Sequence, residues 1–199
     1  MMSPRNLDRP NFIPNPLKMR SHTDIKHFLT PAAREIQIYI DRPSQFMIDN
    51  QRQLLPTWDV SIGYAIVVLQ KSRLPLADVN PDVIQEKNYL REQFLRFGCD
   101  LIFQLRDCNY KSDLFDPRSG YPLINSRGNL TLNDNAVVNA LLGFTITKDN
   151  NCSLLTHPQW ETAVYPSTIV STASLEILES MLLKITTVKG WKLINTNVK

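Results

Sequence analysis

A cysteine followed closely by a histidine is the pattern in this chain that most directly suggests chemistry. Cys152 lies between the polar run 148–151 and a strand-like segment, so we expect it at the edge of an element, where a thiol can face solvent. His157 follows five residues later. Such a pair suggests a thiol enzyme, while an accessible thiolate alone can bind a metal. Three interpretations stay open: structural residues, a metal-reactive or redox thiol, and a nucleophile.

The spacing of Cys152 and His157 argues against a simple catalytic dyad. In a regular strand, side chains five residues apart point to opposite faces. In a helix they lie about 140° apart, at about 100° per residue. A dyad would therefore require a bend in the chain between the two residues.

The other two cysteines, Cys99 and Cys108, are expected to be free thiols packed in or beside one helix. Nine residues of helix separate them by roughly 13 Å along the axis, and a disulfide tolerates a Cα separation of about 7 Å at most. There is no CxxC motif, so neither a zinc ribbon nor a thioredoxin-type site is indicated. The odd cysteine count and the lack of a secretion signal favour a reducing compartment, and we expect a cytoplasmic protein.

Two carboxylates, Asp113 and Asp116, precede a Pro-Gly turn at 117–120. Aspartates at such positions usually accept hydrogen bonds from nearby backbone N–H groups. We therefore expect local structural bonds from both residues rather than acid–base catalysis.

The elements that must position these residues belong to an ordinary globular protein. The chain has 199 residues, of which 43% are apolar and 21% charged, which excludes disorder of the whole chain. Its longest apolar stretch, 62–69, is far short of the roughly 18–20 residues that span a bilayer. The six glycines form neither GxGxxG nor GxxxxGK, which disfavours a standard dinucleotide or P-loop phosphate site.

Residue patterns predict an α+β fold with a mostly antiparallel sheet and packed helices. The clearest element is a helix over 82–107, capped by Asn80, with an apolar face and a charged face. A last helix follows Thr172 and ends at Gly190, and a short helix is expected at 135–142. Strands are predicted at 36–40, 60–69, 144–146, 153–156 and 168–170.

Residues 1–35 are predicted to be a flexible, basic, proline-rich tail, with 36–199 forming the single α+β domain. The tail holds six Lys/Arg against three Asp/Glu, whereas the remainder holds 16 of each. A neutral body offers no footprint for nucleic acid, and we expect no membrane partner either. Five prolines and two aspartates argue against a transit peptide. His22 and His27, in this tail, are expected to be exposed.

An ordered set of weak motifs runs through the second half of the chain: Tyr110, Asp113, 116–117, 119–120, 142–144, Cys152, His157, Trp160, Val164 and Ile169. In order and spacing, the set resembles the C-terminal domain of the methylmalonic aciduria and homocystinuria type D (CblD) proteins, most densely over 110–173. The chain is similar to short, prokaryotic-type members. Animal members carry two adjacent cysteines where this chain has Asn151 and Cys152, and alignment on His157 and Trp160 matches Cys152 to the second.

The resemblance implies a cobalamin (vitamin B12) trafficking adaptor rather than an enzyme. It implies a fold related to flavin nitroreductases, without flavin. The implied partner is the cobalamin-processing type C protein, which holds the cofactor, so that the adaptor alone does not bind it tightly. Delivery to methionine synthase and methylmalonyl-CoA mutase is also implied.

The resemblance also assigns site residues. It makes Cys152 the candidate cobalt ligand, whereas His157 either packs in the core or orients the loop that carries the thiol. Trp160 is expected to be a packing residue. Two alternatives stay open: a thiol-dependent or flavin nitroreductase-like oxidoreductase, and a structural binding module without cofactor.

Overall fold

The structure, a computed structural model, describes residues 25–78, 80–149 and 152–194. Within them lie eight strands: β1 (Lys26–Leu29), β2 (Glu35–Asp41), β3 (Tyr64–Lys71), β4 (Ser112–Leu114), β5 (Thr145–Asp149), β6 (Cys152–Thr156), β7 (Val164–Ser171) and β8 (Lys192–Ile194). Six of them form one sheet in the order β4-β7-β3-β2-β1-β8, and β5 with β6 forms a separate two-stranded ribbon. Every pairing is antiparallel, which confirms the predicted α+β class.

The same described residues contain five helices: α1 (Gln45–Asp49), α2 (Gln51–Leu54), α3 (Pro81–Asp107), α4 (Asp134–Leu142) and α5 (Leu175–Val188). The sequence predicts α3 to within one residue, because Asn80 accepts a hydrogen bond from the N–H of Val83 and Pro81 occupies the first position. The predicted last helix is α5, and Gly190 beyond it has the left-handed φ of 68°. None of the described helices is both long and apolar enough to span a membrane.

The sheet separates two hydrophobic cores. Alternate residues of β2 face opposite sides, so that Ile38 and Ile40 pack with α3 and α5. Tyr39 points to the other side, which is covered by α1, α2, α4 and the β5–β6 ribbon. The ribbon is therefore attached to the second core rather than being part of the sheet.

The sheet includes part of the segment that the sequence assigns to the tail. β1 pairs with β2 on one side and with β8 on the other, and Phe28 is buried in the first core. The predicted domain boundary at residue 35 is therefore wrong, and so is the expected exposure of His27, which is 5% exposed. A four-residue strand paired to the far end of the chain has too little periodicity to detect. His22 lies outside the described residues.

Candidate functional site

Cys152 occupies the tip of the β5–β6 ribbon. Its backbone begins β6 and pairs with Asp149, the last residue of β5, so that only residues 150 and 151 connect the strands. This confirms that Cys152 lies at the edge of an element. Asn151 lies outside the described residues.

Helix α4 supports both strands of the ribbon. The side-chain amide of Asn135 donates to the carbonyl of Ser153 at 2.7 Å, and that of Asn139 donates to the carbonyl of Phe144 at 2.8 Å. Leu155 is buried in the second core. Because an isolated two-stranded ribbon is marginal in water, these contacts give the tip a defined base.

His157 follows β6 directly and is nearly fully buried. Its Nδ1 accepts hydrogen bonds from the backbone N–H groups of Gln159 and Trp160, both at 3.1 Å. Nε2 therefore carries the ring proton and donates it to Oε1 of Gln37, 3.0 Å away. The hydroxyl of Tyr39 donates to the same oxygen at 2.8 Å. The imidazole thus fixes the turn that follows it and ties that turn to β2.

The surroundings of His157 keep the ring neutral. Burial is the main cause that lowers its pKa, to about 4, and the nearby His27 and Lys71 side chains act in the same direction, whereas Glu35 opposes them. Trp160 is buried and stacks on the imidazole with ring centroids 4.1 Å apart, in agreement with its predicted packing role. The indole of Trp160 therefore covers one face of the imidazole.

The structure does not bring Cys152 and His157 together. Residues 152–156 form a continuous strand, and five residues of strand extend about 17 Å. The bend that a dyad would require is absent from this interval. The side-chain hydrogen bonds of His157 go to the turn after it and to Gln37.

The remaining cysteines match their predictions. Cys99 is half-buried in α3 and Cys108 is exposed at its C-terminal end, and both are free thiols. Burial raises the pKa of the Cys99 thiol, and nearby carboxylates, led by Asp100, add to the effect.

Asp113 and Asp116 are structural, as the turn chemistry predicts. The fully buried Asp113 carboxylate accepts from the backbone N–H groups of Leu123, Ile124 and Asn125, at 3.1, 3.0 and 2.8 Å. Asp116 accepts from the backbone N–H of Arg118 and forms a bidentate pair with Arg91, at 2.6 and 2.8 Å.

A cavity beside the ribbon was not predicted from the sequence. It has a volume of about 400 Å³, and its wall includes residues from the 117–120 turn, the start of α4, β6 and β7. Asp134 lies in this wall, and its Oδ1 accepts from the hydroxyl of Thr168 at 2.6 Å. Burial raises the pKa of Asp134 to about 7. In sequence, Asp134 is one of several polar residues at a helix start, and nothing local indicates its burial.

Within the described part of the chain, no group of three or more His, Cys, Asp or Glu side chains is placed to hold a metal ion.

A family model described as methylmalonic aciduria and homocystinuria type D protein matches residues 16–184. Two curated relatives are named cobalamin trafficking protein CblD. The Homo sapiens protein is 27% identical over 109 residues, which cover 55% of this chain and 37% of the human protein. The Mus musculus protein is 26% identical over 111 residues, which cover 56% and 38% of the respective chains. The match thus spans well under half of each relative. Because the family model covers most of this chain, the chain belongs to the methylmalonic aciduria and homocystinuria type D protein family.

Proposed function

We propose that this chain is a non-enzymatic cobalamin trafficking adaptor that offers the Cys152 thiolate to the cobalt of cobalamin held by a partner protein. The proposal is carried by the position of Cys152 at the tip of a ribbon that stands apart from the main sheet. The human and mouse relatives are named cobalamin trafficking protein, which supports cobalamin as the cargo.

The chemistry of the ribbon tip suits this task. The corrin ring already gives cobalt four nitrogen ligands, so an adaptor needs to supply only one axial ligand. A thiolate is a soft, strongly donating ligand for such a metal. It must be deprotonated and reachable, and a residue next to the turn of a two-stranded ribbon is suited to contact a partner's binding site.

The proposed partner is a cobalamin-processing type C protein, which removes the upper axial ligand and keeps the cofactor bound. The adaptor then directs cobalamin toward methionine synthase or methylmalonyl-CoA mutase. Cobalamin is held through the partner complex and not tightly by this chain alone. We further propose a cytoplasmic location and a nitroreductase-like fold that does not use flavin.

Visible spectroscopy tests the ligand assignment. Cob(II)alamin is mixed with the type C protein and then with the full chain, and we expect a change in the cobalt spectrum. Cys152→Ser should abolish that change, whereas the double variant Cys99→Ser, Cys108→Ser should retain it as the matched control. An unaltered spectral change with Cys152→Ser would disprove the assignment of the thiolate.

The alternative of a thiol-dependent or flavin nitroreductase-like oxidoreductase has less support. Its basis is the Cys–His pair, and about 17 Å of extended strand separates Cys152 from His157. A yellow protein on purification, or a reductase activity lost in His157→Ala with the fold intact, would favour this alternative. A structural module without cofactor would be favoured by a Cys152 inert to thiol reagents.

A further inference from the structure

The cavity beside the ribbon lies at an open edge of the sheet. β4 is only three residues long and pairs with residues 169–171 of β7. Within the described residues, no strand covers 164–167 on that side. The cavity of about 400 Å³ occupies this position, with Val164, Tyr165 and Pro166 in its wall.

The cavity wall contains hydrogen-bond acceptors. Asp134 is 8% exposed and engages Thr168 through Oδ1 alone, and among the described residues Oδ2 has no hydrogen-bond partner. The N–H of Phe115 donates to the carbonyl of Thr168, which therefore faces away from β3. Because backbone groups alternate along a strand, Pro166 directs its carbonyl to the same side. Pro166 has no N–H, which suits an uncovered edge.

The same wall contains hydrogen-bond donors. Lys87 from α3 and Arg118 from the 117–120 turn both border the cavity. The first residues of α4 also line it, and backbone N–H groups at a helix start favour an oxygen acceptor.

This mixture of groups favours a neutral ligand that both donates and accepts hydrogen bonds. A simple anion would be disfavoured by the Asp134 carboxyl, and a simple cation would be repelled by Lys87 and Arg118. A primary carboxamide satisfies both sets, because its NH₂ can donate to Asp134 or Pro166 while its oxygen accepts from the cationic side. The volume fits a short arm and is at the lower end of ligand cavities.

The position of the cavity connects it to the ribbon tip. Residues 153–155 of β6 form part of its wall, and the backbone of Cys152 begins the same strand one residue earlier. The corrin ring of cobalamin carries acetamide and propionamide arms around its rim, with cobalt at its centre. Resting on the proposed function, we propose that this cavity binds one carboxamide arm of the corrin whose cobalt Cys152 contacts.

A matched pair of small probes tests the class of ligand. Propionamide and methyl propionate have similar shapes, but the ester has no N–H to donate. In ¹H–¹⁵N NMR titrations of the full chain, propionamide should shift the backbone amides of Gly120, Ser153 and Leu155, whereas the ester should do so at least fivefold less. Equal shifts from both probes would overturn the carboxamide assignment.

Asp134→Asn tests the role of the free carboxyl oxygen. The Thr168 hydroxyl can still donate to the new amide oxygen, so that the NH₂ group faces the cavity and an acceptor becomes a donor. We expect propionamide binding to weaken at least fivefold. Asp100→Asn, which removes the same charge from a half-exposed residue of α3, should leave binding unchanged. Unchanged binding in Asp134→Asn would refute the proposal.

Cyanocobalamin separates this proposal from the proposed function. Cyanide and the nucleotide base occupy both axial positions of its cobalt, so binding does not need the thiolate. We expect it to shift the same amides, equally in wild type and in Cys152→Ser. If the cob(II)alamin spectrum does not change but these amide shifts are retained, only the thiolate assignment is disproved. Cyanocobalamin without any shift at the cavity would remove the corrin-arm assignment.

Discussion

Nε2 of His157 lies 3.0 Å from Oε1 of Gln37, a residue 120 positions earlier in the chain. This bond joins the turn after β6 to the second strand of the main sheet, across the core that supports the ribbon. His157 also accepts hydrogen bonds from two backbone N–H groups. A single buried side chain therefore connects the ribbon's base to the sheet.

Replacing this side chain should destabilise the protein. We expect His157→Ala to lower the free energy of unfolding by about 2–4 kcal/mol, because two N–H groups lose their acceptor and a cavity forms beneath Trp160. His157→Asn should cost less, because an Asn oxygen can accept from the N–H two residues on. Urea denaturation measures both variants. Equal losses would show that the turn bonds contribute little.

The low pKa of His157 makes stability depend on pH. The folded pKa of about 4 is below the ordinary histidine pKa of 6.5, so the unfolded chain binds the proton more readily. The contribution is complete above about pH 6.5 and is lost as pH falls toward 4. We expect a loss on the order of 2–3 kcal/mol over that interval, measured by urea denaturation. The wild-type decline should be reduced in His157→Asn, and an identical decline in the variant would contradict this origin.

The sequence predicts elements whose own periodicity shows which side is buried. It does not predict elements whose burial depends on contacts with distant segments of the chain. The face formed by Leu90, Phe94 and Leu101 identifies α3, because helical spacing alone shows which side is buried. Local periodicity does not predict β1, because its burial depends on β8, more than 150 residues later. His27 was expected to be exposed for the same reason.

The candidate site likewise has one part that the sequence predicts and one part that it does not. The position of Cys152 at the edge of an element follows from neighbouring polar residues. The cavity depends on the meeting of Asp134 with Thr168, 34 residues apart, and on the shortness of β4. Neither property has a local signal, so the sequence indicates the thiol but not the cavity beside it.

Asp113 is expected to be among the most sensitive positions in the chain. Its buried carboxylate accepts from three backbone N–H groups of the 123–125 segment and from the side-chain amide of Asn125. Asp113→Ala would leave several buried donors without an acceptor, at about 1–3 kcal/mol each. We expect a loss of at least about 3 kcal/mol in urea denaturation. Asp59→Ala, at an exposed carboxylate, should cost far less than Asp113→Ala. Similar costs for both variants would contradict a structural role for Asp113.

Replacing Asp134 should stabilise the protein, in contrast to replacing Asp113, because the burial of Asp134 opposes its ionisation. The pKa of Asp134 is about 7 in the folded chain against an ordinary aspartate pKa of 3.8, so the folded state loses stability as pH rises from about 4 to 7. Asp134→Asn removes this penalty and retains an acceptor for the Thr168 hydroxyl. We therefore expect the variant to be more stable than wild type by about 1–3 kcal/mol at pH 8 and nearly equal at pH 4. Thermal unfolding at the two pH values measures the difference. Asp100→Asn serves as the control, and a stabilisation of Asp134→Asn that is the same at both pH values would rule out relief of a buried charge as its cause.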